Sequence, residues 1–315
     1  MIALQEVCKF YDDLKAVDHL SLEVAEGEIC VLLGKSGCGK STTLKMINRL
    51  IPSTSGQIKV NGKNVEDYVV ENLRRSIGYV VQSIGLFPYM TVEHNISLVP
   101  QMLKWDKKKT RARVEELLEL VGLDVDLYIH KYPGELSGGE AQRVGVARAL
   151  AADPPIILMD EPFGAVDPIN RTRLQKEFVR IQKQLHKTVV FVTHDIEEAL
   201  KIGDKIGIMD KGVLQNFAPP EKIMSGGNQA FVRDFLGEDY FLKILSRFPI
   251  ADYLVSFSAP VTDYKLCLPA ASNLQNALAM MVSQGEMKTA VQGENGTMLG
   301  EINLDTVLRV LKRSE

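Results

Sequence analysis

At 315 residues, with 45% hydrophobic and 24% charged side chains, the chain can bury one large core and a smaller second one, and its composition excludes wholesale disorder. A formal net charge of −3 argues against a surface built mainly to grip a polyanion and leaves only a local basic patch for nucleic acid. Cys8, Cys30, Cys38 and Cys267 form no C-x-x-C pair and no metal-ligand spacing with the five histidines, so they read as reduced thiols of a cytosolic protein. No apolar run approaches the roughly 20 residues that cross a bilayer, and the N-terminus lacks the apolar core of a signal peptide. A role at a membrane would therefore need partners that span it.

The first decisive element is the apolar run Ile29-Cys30-Val31-Leu32-Leu33, which predicts a buried strand. It leads into Gly34-Lys35-Ser36-Gly37-Cys38-Gly39-Lys40-Ser41 and then a helical stretch from Thr42 to Ile47. The glycines let backbone N–H groups turn inward on a polyphosphate, and the helix N-terminus favours its charge. Lys40 can reach the outer phosphates and Ser41 can hold Mg²⁺, so the spacing predicts a nucleoside triphosphate site. Cys38 could be a redox switch, but a small side chain in a glycine turn is the plainer reading.

Further on, Gln57–Val60 predicts a strand entering an Asn61-Gly62 hairpin turn, and Ser76–Gln82 a buried strand ending in a polar residue. The basic run Lys104–Arg113 leads a helix whose apolar face carries Val114, Leu117, Leu118 and Val121, with Gly122 as its C-cap. The run reads as a solvated helix face, with a nucleic-acid contact as the alternative. A helix from Ser137 to Asp153 stops at Pro154-Pro155, and the strand Ile156–Met159 then delivers Asp160 and Glu161 to a strand C-terminus, where open parallel sheets bind ligands. Leu174, Phe178, Ile181 and Leu185 mark another helix, and Thr188–Thr193 another buried strand before His194. Alternating strands and helices predict an α/β fold with a mostly parallel, helix-covered sheet. From 239 to 258 the pattern is a connecting helical segment broken by Pro249, followed by a β-α-β-β-α order: Lys265–Leu268, Leu274–Val282, Lys288–Val291, Met298–Ile302 and Leu304–Leu311.

The phosphate loop, Leu136-Ser137-Gly138-Gly139-Glu140-Ala141-Gln142-Arg143, and the Asp160-Glu161 strand end about twenty residues later together resemble the ATP-binding cassette (ABC) family over residues 1–235. The resemblance implies a P-loop NTPase fold with a mostly parallel core sheet, a helical signature subdomain and an antiparallel β subdomain. It implies ATP and Mg²⁺ as cofactors. Tyr11 matches the aromatic that stacks on adenine, Lys40 and Ser41 the phosphate lysine and the magnesium hydroxyl, and Gln82 the glutamine that senses Mg²⁺ and water. Gly34, Lys35, Ser36, Gly37, Cys38, Gly39 and Thr42 complete the phosphate loop. Asp160 matches the metal-linked aspartate, Glu161 the carboxylate that polarises the attacking water, and His194 the switch histidine. Ser137, Gly138 and Gly139 match the signature that completes the ATP site of a second subunit, so the resemblance implies a head-to-tail homodimer; Asp167 matches the aspartate of the loop after the catalytic glutamate, a further nucleotide-binding position. Taken singly, Tyr11 and His194 would be ordinary packing and helix-start residues; the ordered set gives them their roles. Two positions depart from the commonest pattern: the loop Gly164-Ala165-Val166-Asp167, and Glu140 where many members have glutamine.

The chain lacks the long coiled-coil insertion of soluble ABC machines, which favours transport. Ser83–Val92 resembles the surface where importer cassettes receive a permease, so Leu86, Phe87, Pro88 and Met90 would form an exposed apolar groove; burial within the domain is the alternative. The stretches Lys45–Leu50 and Gln82–Pro88, with Asn95-Ile96 and Val99-Pro100, resemble ATPases that import quaternary-amine osmoprotectants such as glycine betaine, choline or carnitine. Residues 236–261 would then connect to a CBS-like single-motif domain at 262–315, with Asn303 at the family's hydroxyl position and Asp305 displaced by one. That departure disfavours adenosine-ligand binding there and favours dimer packing. The resemblance implies membrane permease subunits that meet the Gln82–Val92 region, an external solute-binding protein acting through them, and a peripheral location on the cytoplasmic face of the cell membrane. It leaves open an importer of another solute, such as an amino acid, and a soluble nucleic-acid ATPase.

Overall fold

Two long strands open the chain, β1 (Ile2–Tyr11) and β2 (Leu14–Val24), and the short β3 (Ile29–Leu33) follows with all five side chains buried. Burial of β-branched and leucine side chains of this kind contributes roughly 1.5–3 kcal/mol each. A glycine-rich turn then enters α1 (Lys40–Ile47), followed by β4 (Ser55–Val60), β5 (Lys63–Asn64), α2 (Val70–Arg75) and β6 (Ile77–Val80). The helices α3 (Val92–Met102), α4 (Lys107–Leu120), α5 (Val125–Tyr128) and α6 (Gly138–Leu150) precede β7 (Ile156–Asp160). After these come α7 (Pro168–Leu185), β8 (Thr188–Thr193), α8 (Ile196–Ile202), β9 (Lys205–Asp210) and β10 (Val213–Ala218). This computed structural model describes residues 1–81, 85–164, 166–225, 228–237 and 239–313. Gln82, Ser83, Ile84 and Ala165 lie outside the described residues.

The elements form two compact units, Met1–Gln215 and Asn216–Glu315, with the boundary inside β10. In the first, a four-stranded sheet has the order β2-β1-β4-β5, and both β1 pairings are antiparallel. Its β4–β5 turn is the expected Asn61-Gly62 hairpin, with φ of +52° and +78°, a left-handed pair that Asn-Gly tolerates. A six-stranded sheet has the order β10-β9-β3-β8-β7-β6, with β9, β3, β8, β7 and β6 mutually parallel. Leu33 pairs with Thr193, and Asp160 pairs with Val192. Gly34, Glu161 and His194 therefore all leave the sheet at one edge, the carboxyl ends of its strands.

In the second unit the elements are α9 (Gln229–Leu236), α10 (Tyr240–Ile244), β11 (Cys267–Pro269), α11 (Leu274–Gln284), β12 (Lys288–Gln292), β13 (Met298–Asn303) and α12 (Leu304–Arg313). The β-α-β-β-α order is as expected. The stretch read as a connector is more than that: Leu245 and Ile250 are fully buried in one cluster with Leu266, Leu274, Met281, Val291, Ile302 and Val307. Short 3₁₀ turns carry them, so no helical period announced their burial. The second unit thus begins about twenty residues before the 235/236 boundary read from the sequence. Asn303 is committed locally, its Oδ1 accepting the Thr306 N–H at 3.0 Å and the Thr306 hydroxyl at 2.9 Å as the cap of α12. No helix among the described residues is long and apolar enough to cross a membrane.

Candidate active site

The glycine loop turns with φ of +79° at Gly37 and +107° at Gly39. Gly34 and Gly39 also sit where backbone passes close: a Cβ at Gly34 would lie 2.4 Å from the Met209 carbonyl and 2.5 Å from Cys38 Sγ, and one at Gly39 2.4 Å from the Ala16 carbonyl. Cys38 is buried against Gly34, the packing role expected for a small side chain, and burial pushes its thiol pKa up, away from the reactive thiolate. Lys40 is buried, and its Nζ donates to the Gly34 carbonyl at 2.7 Å and the Lys35 carbonyl at 3.0 Å, which spans the loop like a brace. Gly39 is the N-cap of α1 and supplies no side-chain cap, so the first-turn N–H groups face the loop ready for an anion. The loop is tied back by Gly212, whose N–H donates to the Cys38 carbonyl at 3.1 Å while its own carbonyl accepts from the Asp18 N–H at 2.9 Å.

Ser41 Oγ donates to Asp160 Oδ1 at 2.7 Å. Burial pushes the Asp160 carboxyl pKa up, and the Ser41 hydroxyl holds it back. Two hard oxygen donors side by side fit Mg²⁺, whose octahedral shell sets neighbouring oxygens about 2.9 Å apart. Glu161 follows at φ +45°, its N–H bonded to the Val192 carbonyl at 3.0 Å, and its Oε1 lies 3.2 Å from His194 Nδ1. The strained backbone turns this carboxylate out of β7 toward the histidine. Tyr11 ends β1 opposite Leu14 and is about half exposed, a ring face open to stacking.

Ser137 and Gly138 are exposed at the start of α6. Ser137 and Glu140 cap the helix reciprocally: the Ser137 N–H donates to Glu140 Oε2 at 2.7 Å, and Ser137 Oγ accepts the Glu140 N–H at 3.4 Å. The Tyr128 hydroxyl adds a bond to Glu140 Oε1 at 2.6 Å, and these bonds hold the Glu140 carboxyl down at about 2. Glu140 thus keeps the capping function that a glutamine would supply. Asp167 is exposed, and its carbonyl accepts the Arg171 N–H at 2.8 Å.

Phe87 and Tyr89 are exposed, and Phe87 lines a groove of about 410 Å³ with Leu50, Val81, Leu98, Val99 and Arg148. Of the four residues expected to form an apolar groove, Phe87 and Pro88 are exposed and Leu86 and Met90 half-buried, and Phe87 is the one that lines this groove. In the basic run Lys104–Arg113 the two arginines are paired and, among the described residues, the lysines are not: Arg111 meets Glu93 at 2.9 Å and Glu115 at 2.6 Å, Arg113 meets Glu116 at 2.8 Å, Lys109 lies 4.2 Å from the Trp105 ring centre, and Lys104, Lys107 and Lys108 are exposed. Paired guanidinium groups make a poor phosphate track.

The ABC transporter family model matches residues 17–164. The osmoprotectant import ATP-binding protein OsmV of Salmonella typhimurium is 48% identical over 95% of the chain and 78% of its own length. The chain belongs to the ABC transporter family. The choline transport ATP-binding protein OpuBA of Bacillus subtilis is 42% identical over the whole of this cassette protein and 81% of its own length. Among solved structures, the dimeric bacterial ABC transporter cassette MJ0796 covers 70% of the chain and 98% of itself, with a TM-score of 0.64 and 34% identity. The ABC fold and ATP chemistry expected from the motifs are therefore established for this chain.

Two groupings were not legible from the motifs. Cys8, Asp18 and His19 bring possible ligand atoms within 4.8 Å of one another across β1 and β2, a grouping that the linear spacing of cysteines and histidines did not show. They satisfy one another, His19 Nδ1 lying 2.7 Å from Asp18 Oδ1 and the His19 N–H donating to Cys8 Sγ at 3.2 Å. Arg171, Gln175, Asp195 and Glu198 meet behind His194; only the Asp195 helix-start pattern, an aspartate followed three residues later by glutamate, signalled any of them.

Proposed function

We propose that this ABC ATPase is the motor of an importer for a quaternary-amine osmoprotectant such as glycine betaine, choline or carnitine. The observation that carries the reading is the nearly full-length match to the osmoprotectant protein OsmV and the choline protein OpuBA, joined to an intact set of phosphate, carboxylate and histidine groups at one sheet edge. Lys40 and the loop N–H groups grip the phosphates, and Tyr11 stacks the base. Ser41 and Asp160 hold Mg²⁺, with Gln82 the third expected contact; when bound, the ion supplies charge neutralisation at the β- and γ-phosphates. Glu161 orients the attacking water and accepts its proton, and His194 steadies Glu161 and the γ-phosphate.

Ser137 and Gly139 at the exposed start of α6 close the ATP site of a second copy, in a head-to-tail homodimer, and Asp167 lies in the loop between the two sites. Closure then moves membrane permease subunits docked in the Phe87 groove, and an external binding protein chooses the solute. The ATPase sits on the cytoplasmic face of the membrane. The second unit, a CBS-like β-α-β-β-α module, packs dimers together; the capping role of Asn303 supports packing over a nucleotide ligand. An importer of another small solute remains the second reading, because the ATPase never touches the solute.

The test is uptake of labelled glycine betaine at high osmolarity in cells lacking the gene and complemented with the wild type or Glu161→Gln. Restoration by the wild type alone is expected. Full uptake in the deletion strain, with no redundant system, removes the substrate assignment. Co-purification of the permease, lost in Phe87→Asp, tests the groove.

A further inference from the structure

The loop after Glu161 feeds directly into α7, and Arg171 and Gln175 lie on one face of that helix, four residues apart. Arg171 Nη2 donates to the Val166 carbonyl at 2.9 Å, while its Nη1 lies 3.7 Å from Asp195 Oδ2. Gln175 Nε2 donates to Glu198 Oε1 at 3.0 Å, and both side chains are buried, each 5% exposed. Glu198 also takes a bond from the side chain of Thr193, whose Oγ1 in turn accepts the Asp195 N–H at 3.0 Å. Asp195 caps α8 through the Glu197 and Glu198 N–H groups at 2.9 and 3.2 Å. Both neighbours of His194 in the chain are thus bound to groups that α7 holds, and His194 itself meets Glu161. The contacts close a ring from Glu161 through the following loop and α7 to the histidine and back.

We propose that Arg171 and Glu198 are positioning residues that couple the loop ending at Val166-Asp167 to the placement of His194. Neither touches the reacting atoms. A shift of that loop pulls on Arg171 through the Val166 carbonyl. The pull reaches the histidine through Asp195 on one side and through Gln175, Glu198 and Thr193 on the other. The planar guanidinium can bond a carbonyl and a carboxylate together, whereas a lysine ammonium presents a single point. The ladder would make hydrolysis depend on how that loop is held. This rests on the ATPase reading of Glu161 and His194.

The experiment is a mutant cycle in the purified full-length protein. Arg171→Met should lower kcat for ATP about tenfold with KM changed less than twofold, because misplacing a group near the reacting centre costs rate rather than binding. Arg171→Lys should fall between it and the wild type. In a His194→Ala background, read over hours in single turnover, Arg171→Met should change the residual rate by less than twofold, since the histidine it positions is gone. Wild-type kcat in Arg171→Met overturns the proposal. So does a tenfold loss that persists in full when His194 is absent, which would mark a general scaffold defect. Should Arg171→Met melt well below the wild type, Arg171→Lys and Glu198→Gln carry the same cycle with the same criteria. A wild-type protein without ATPase activity would instead sink the underlying reading.

Discussion

Glu161 Oε1 stands 3.2 Å from His194 Nδ1, across a gap between the ends of two parallel strands that are neighbours in the sheet. The pair brings a carboxylate able to accept a proton against a ring that can hold it in one orientation. Replacing Glu161 by glutamine keeps the shape and removes the base, so turnover should fall about 10²–10⁴-fold. ATP affinity should stay within a few-fold, and the variant should accumulate as an ATP-bound dimer. Steady-state phosphate release with sedimentation of the ATP-loaded protein checks both; normal hydrolysis would remove Glu161 from its role.

Lys40 Nζ already spans two loop carbonyls, 2.7 Å from Gly34 and 3.0 Å from Lys35. Lys40→Ala loses both the brace and the charge proposed to meet the outer phosphates. Nucleotide affinity itself should drop at least tenfold, since a charge-assisted bond contributes roughly 1.5–3 kcal/mol. Titration with a fluorescent ATP analogue reads this directly, and unchanged affinity would count against the loop.

Much of this was legible because the signals are contiguous. The strand Ile29–Leu33, its loop and α1 form one unbroken segment, and the Ile156–Glu161 strand end does too. Strands β1 and β2 escaped because three register shifts between Leu4 and Phe10 break the period-two pattern. The Arg171–Asp195 and Gln175–Glu198 contacts join residues 24 and 23 apart, and no local period encodes them. The same holds for Leu245 and Ile250, buried from short turns whose sequence reads as linker.

Gly37 and Gly39 both need left-handed backbone, but only Gly39 also lies against a neighbour: a β-carbon there would meet the Ala16 carbonyl at 2.4 Å. Nothing lies within 4 Å of the same position at Gly37. Gly37→Ala should therefore cost only the conformational strain, roughly 1–3 kcal/mol. Gly39→Ala should cost clearly more, because backbone must move, and should displace β2 from the loop. Urea unfolding of the two variants decides it; equal losses would show that contact at Gly39 is irrelevant.

The Tyr128 hydroxyl is the largest reason that the Glu140 carboxyl titrates at about 2, followed by the Ser137 N–H. The folded form therefore holds its proton less tightly than the unfolded chain, whose glutamate titrates near 4.5. Stability from this carboxylate is present above pH 4.5 and is lost as pH falls toward 2. Tyr128→Phe removes one hydrogen bond to a charged, partly exposed group, which water screens, so the loss at pH 7 should be about 1 kcal/mol. The gap between wild type and variant should hold constant from pH 7 to about 4, then shrink to about half or less by pH 2, as the Glu140 carboxyl takes up its proton in the folded state. Urea titrations at pH 7, 4 and 2 measure it. A gap that is undiminished at pH 2 would mean that Tyr128 stabilises the protein by packing, with the cap of α6 relying on Ser137 alone.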